Sequence, residues 1–129
     1  MLKYTMILLV LVFFVDSKVA PDRFLLPGTT EPILNCGKQL GLKFEDLLDN
    51  LEQNAGGLPY KEFDLCCWRS LGMITADNQV NQEVAPKIIA LFFPENPEQL
   101  EKDCFKSIRD PLNDIWDMSV CIIRIVAQW

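Results

Sequence analysis

The chain has 129 residues, half of them hydrophobic, a net charge of −6 and no histidine. One folded domain is expected at this length and apolarity, and the acidity leaves no basic stripe to neutralise phosphates, which argues against nucleic acid as a partner. The missing imidazole removes Ser-His-Asp and Cys-His nucleophile pairs and histidine-based zinc sites, so no enzymatic activity, no cofactor and no metal site are expected.

Residues 1–17 read as a signal peptide. Lys3 supplies the basic start, and residues 6–15 form an apolar run shorter than the ~20 residues a helix needs to span a bilayer. Val15 and Ser17 fit the small-residue cleavage rule, which places the cut after Ser17 and leaves residues 18–129 as an exported helical domain with no membrane anchor.

Residues 18–30 read as an irregular start, broken by Pro21, Pro27 and Gly28. Thr30-Glu31-Pro32 then opens a first helix that runs through Ile33 and Cys36 to Gly41. A second helix is expected over 43–53, with Phe44, Leu47, Leu48 and Leu51 on its buried face and Glu45, Asp46, Asp49 and Glu52 on a solvated one. The third and central helix starts at Pro59 and carries the stripe Phe63, Cys67 and Leu71, with Gly72 and Asp77-Asn78 as exit and turn residues.

A fourth helix is predicted from about 81 to 93, with Pro86 in or near its first turn and Ile88, Ile89, Phe92 and Phe93 as its apolar residues. Asn96-Pro97-Glu98-Gln99 is the start signal of a fifth, whose stripe is Leu100, Cys104, Phe105 and Ile108. Asp110-Pro111 repeats that signal for a sixth, which carries Leu112, Ile115, Trp116, Ser119, Ile122, Ile123 and Val126. Over 120–127 only Arg124 interrupts the apolar residues, and a helix apolar nearly all round is buried or faces a cavity. No stretch alternates with period two. The fold class is therefore all-α, about six helices around an apolar cavity.

In an exported chain the cysteines are informative. They are Cys36, Cys66, Cys67, Cys104 and Cys121, so one is left over. Each choice of the odd cysteine leaves three ways to pair the other four, and spacing alone selects none.

From Glu31 to Trp129 the chain resembles the insect odorant-binding protein family. Cys36, Cys66, Cys104 and Cys121 fit the first, third, fourth and sixth cysteines of that family's six-cysteine rhythm, and Leu71-Gly72-Met73-Ile74 with Asp77-Asn78 sits where the family ends its third helix. The second and fifth positions hold Glu62 and Leu112, so both members of one bridge are absent, as in the family's four-cysteine branch. Three features depart from the pattern: Cys67 has no counterpart, the segment before Cys36 is broken by prolines, and no long tail is expected after Cys121.

The resemblance implies disulfides Cys36–Cys66 and Cys104–Cys121, with Cys67 as a free thiol; a Cys36–Cys67 bridge is the alternative. It also implies a secreted carrier of small hydrophobic molecules such as odorants or pheromones, with an odorant receptor as a further partner. Stripe and neighbourhood to the bridges select Phe63, Ile88, Phe92, Trp116, Met118 and Ile122 as ligand-binding residues. Met73 is a further candidate for a pliable wall, and Trp68 is read as a surface or interface aromatic with no role. Two competing readings remain. One is a secreted venom, salivary or reproductive interaction protein, monomeric or a disulfide-linked dimer. The other is a lipid hydrolase, for which the chain has no G-x-S-x-G elbow. Without histidine, any pH-triggered ligand release has to use carboxylates.

Overall fold

A computed structural model describes residues 19–129; the expected signal peptide at 1–17 lies outside the described residues. A single 3-10 turn, Pro21–Arg23, precedes six α-helices: α1 Thr30–Leu40, α2 Phe44–Gln53, α3 Leu58–Ser70, α4 Ala85–Phe92, α5 Pro97–Cys104 and α6 Pro111–Ala127. Among these residues there is no strand, only one isolated bridge between Ile74 and Val80. No helix of the described residues is long and apolar enough to cross a membrane.

The helix ends follow local chemistry, with three exceptions. Gly41 ends α1 at φ 69°, a left-handed position that glycine takes without a Cβ clash. Asn96 accepts a hydrogen bond from the Gln99 N–H and caps α5, with Pro97 as its first residue. The expected cap at Asp110 is not formed. Its carboxylate takes the Asn113 side chain instead, and Asp114 reaches back one turn to accept from the Arg109 and Asp110 N–H groups at 2.8 and 3.0 Å. Helix α4 starts four residues later than expected, because the Asn81 side chain accepts from the Glu83 and Val84 N–H groups and holds that stretch as a turn. Helix α5 stops at Cys104 rather than continuing to Ile108, since Phe105 turns extended at ψ 135°. Ile108 is buried from a loop, where the Gln79 amide takes both of its backbone groups, at 2.8 and 3.1 Å.

Helix α3 is the hub. It packs against both α1 and α6 and touches α2, while α6 also lies on α2 and α5. Phe63, Asp64, Leu65, Cys67 and Trp68 of α3 are all buried. At about 100° per residue these positions span more than half of its circumference. The wet face of α2 is as expected, with Glu45, Asp46 and Asp49 exposed.

Two disulfides rivet this frame. Cys36 of α1 is bonded to Cys66 of α3, and Cys104 of α5 to Cys121 of α6, with Cα–Cα separations of 5.9 and 5.6 Å. Cys67 is unbonded and buried. Its position is one residue along the helix from Cys66, and that step turns it from α1 toward the interior.

Candidate functional site

Helices α1, α2, α3, α4 and α6 and the segment before α1 leave a cavity of about 80 Å³ between them. Of the residues that line it, only Phe44 and Leu71 are not buried, so its walls are core residues although it opens toward the surface. Helix α2 contributes Leu47, Leu48 and Leu51, and α4 with its cap contributes Ile89, Phe92 and Phe93. From α6 come Ser119, Ile122 and Ile123, and from α3 Asp64, Cys67 and Trp68. Phe24 closes the cavity from the N-terminal segment, its ring edge-on to Phe44, Phe92 and Phe93 with centroids 5.2 to 5.6 Å apart. Cavities of roughly 150 Å³ with such walls admit benzene. The present space holds a molecule of a few heavy atoms without wall movement.

Nearly all of this lining is hydrocarbon or aromatic. The exception is a polar cluster on the facing sides of α3 and α6. The Ser119 hydroxyl lies 2.9 and 2.8 Å from the two carboxylate oxygens of Asp64, and the Trp68 indole N–H donates to the Ser119 oxygen at 2.9 Å. Asp64 is 4% exposed. Burial pushes its carboxyl up from 3.8 to about 7, and the hydrogen bonds within the cluster only partly offset that rise. The neighbouring Cys67 thiol is pushed far above its ordinary range, by burial first and by the Asp64 charge second. It is a space-filling group rather than a reactive thiolate. Among the described residues no cluster of metal-ligating side chains exists.

Of the residues selected from sequence, the structure brings two, Phe92 and Ile122, to the cavity. Phe63 is fully buried between α1 and α2 and borders a separate groove with Phe44 and Leu42. Ile88 is half-buried, one position round α4 from the inward-facing Ile89. Met118 is buried but lies about 100° round α6 from Ser119, off the cavity face. Trp116 is about two turns from Ile123, and its indole N–H bonds the Asn54 side chain at 2.9 Å just past α2. It fills the space above Gly56, where a Cβ would run into the indole. Met73 does line the cavity.

The reading of Trp68 as a surface aromatic is overturned. It is 6% exposed, because its ring packs inward beside Cys67 and its N–H finds a buried partner. Asp64 was missed, and Ser119 appeared only as a member of the α6 stripe. A signal existed in both cases: Asp64 shares a face with Cys67 and Trp68 at i+3 and i+4, and Ser119 is the one polar residue of the α6 stripe. Two isolated polar residues on two facing apolar stripes are candidates for each other.

No family model, no curated protein and no solved structure matches the chain. The class is therefore drawn from fold and site: an all-α protein tied by two disulfides around a small apolar cavity with one buried carboxylate.

Proposed function

We propose that this protein is a carrier that binds small, largely apolar molecules in the cavity between its helices, without a cofactor and without covalent chemistry. The observation that carries this reading is the cavity itself, walled by five helices with apolar side chains and offering one polar cluster for orientation. Export through a leader at 1–17 fits the two disulfides, which persist in oxidising compartments.

The particular class proposed is the insect odorant-binding family, in its four-cysteine branch, with odorants, pheromones or similar lipophiles as ligands. Two features support it. The bonded pairs are those the family rhythm implies, and Glu62 and Leu112, where the absent bridge would sit, border one surface groove between α3 and α6. An enzyme reading is weaker, because the chain has no histidine to serve as a general base.

A ligand larger than the cavity has to move a wall. Parting α3 from α6 would break the Asp64–Ser119–Trp68 cluster, so that seam is not the pliable one. Binding is tested by titrating ligand-stripped protein with benzene and with a hydrophobic fluorescent probe while following Trp68 emission in a Trp116→Phe, Trp129→Phe background. Saturable binding with a change in emission is expected, and Ile122→Trp should fill the cavity and weaken it. A folded protein that binds neither compound, nor any smaller apolar molecule, refutes the carrier reading and leaves the interaction-protein reading in its place.

A further inference from the structure

We propose that the cavity selects small apolar molecules that end in an amine, with Asp64 as the residue that receives the ammonium group; this rests on the carrier reading and names the ligand class of that same cavity.

The argument begins with what Asp64 lacks. A carboxylate has about four lone-pair sites, and here one hydroxyl hydrogen, that of Ser119, is shared between the two oxygens. No lysine or arginine lines the cavity, and no ion pair to Asp64 forms among the described residues. The groups that face it from α1, α2, α4 and the N-terminal segment are apolar: Ile33, Leu47, Leu51, Ile89, Phe92 and Phe24. Within the lining the only other titratable group is Cys67, which stays neutral. An isolated buried charge of this kind is costly unless a counter-charge or further donors reach it.

The carboxylate is also accessible from within, since Asp64 and Ser119 both line the cavity. An ammonium group there donates up to three hydrogen bonds to open lone pairs and neutralises the charge, while its hydrocarbon body meets the leucine and phenylalanine walls. An alcohol of the same shape supplies one donor and leaves the charge unmatched. A carboxylate ligand adds a second negative charge to a site with no cation. In the empty cavity near neutral pH, a proton occupies Asp64 about half of the time, because burial raises its carboxyl to about 7. Binding of an ammonium ion displaces that proton.

The test uses isobutylamine, isobutanol and isobutyrate, which share one branched carbon skeleton and differ in the polar end. Affinities are measured by calorimetry or ligand-observed NMR at pH 6 and pH 8 on the full folded protein. Isobutylamine should bind best at pH 8, and its affinity should rise about tenfold from pH 6 to pH 8 as Asp64 ionises, with isobutanol not following. Asp64→Asn should collapse the ratio of amine to alcohol affinity to near one. If that variant does not fold, the wild-type pH series decides alone. Equal binding of amine and alcohol, an amine affinity flat with pH, or a preference for isobutyrate overturns the proposal while leaving the carrier reading intact. No binding of any of the three, nor of benzene, removes the carrier reading itself.

Discussion

Asp64→Asn is the substitution with the most to say about stability, because the wild-type carboxyl is raised from 3.8 to about 7 by folding. The folded state then holds a proton that the unfolded chain releases, so the associated stability is fully present below about 3.8 and is lost as pH rises toward about 7. Across the whole window the shift amounts to about 4 kcal/mol. Between pH 5.5 and 8, a range that stays clear of the isoelectric point near 4.6, it amounts to about 2 kcal/mol. Asp114 and Glu95 act in the opposite direction, since hydrogen bonds hold their carboxyls low, but both are unchanged in the variant and cancel in the comparison. Urea unfolding followed by tryptophan fluorescence at several pH values gives the difference. The wild type should lose about 2 kcal/mol relative to Asp64→Asn between pH 5.5 and 8. The absolute stability of the variant is not diagnostic, because the asparagine amide brings its own buried donors; the pH slope is. Parallel curves for the two proteins would refute the account of Asp64 as a buried, proton-holding carboxyl.

Three other expectations are independent of that one. The Cys67 thiol should resist alkylation in the native protein and react fully after denaturation, read by mass shift; rapid native labelling would contradict its burial. Replacing Cys104 and Cys121 together by serine should cost about 3 kcal/mol on the chain-entropy account, measured by urea midpoint, given a sequence separation of 17. Gly56→Ala should force the Trp116 indole off Asn54 and destabilise the protein by about 1–3 kcal/mol, with a changed Trp116 emission.

The helices were legible because proline, glycine and apolar spacing are local signals. Pro97, Pro111 and Gly41 sit where their chemistry requires, and all six helices appear in the expected order. The cavity wall was less legible. Stripe and neighbourhood to the bridges say that Met118, Trp116 and Phe63 are inside, and they are, but not which interior they face. Trp116 is decided by Gly56 and Asn54, sixty or so residues away in sequence. Asp64 was hidden for a different reason: a charged residue on a helix reads as solvated, and only the meeting of α3 with α6 removes the water. The end of α5 depended likewise on Gln79, which holds Ile108 from a distant loop.

The two disulfides do not reach every wall of the cavity. Phe24 and helix α4 both lie outside the loops that the bridges close; Phe24 packs on Phe44 of α2 as well as on Phe92 and Phe93, and α4 packs on α5. Arg23 donates to the Phe92 carbonyl at 3.1 Å and pairs with Glu95 at 2.8 Å, and its guanidinium sits 5.6 Å from the centre of the Phe93 ring. An exposed pair of this kind is worth at most about 1 kcal/mol. One side of the cavity is thus riveted and the other merely latched. Amides near Phe24 and Phe92 should therefore exchange with deuterium ahead of those in α3 and α6, and added salt should hasten them.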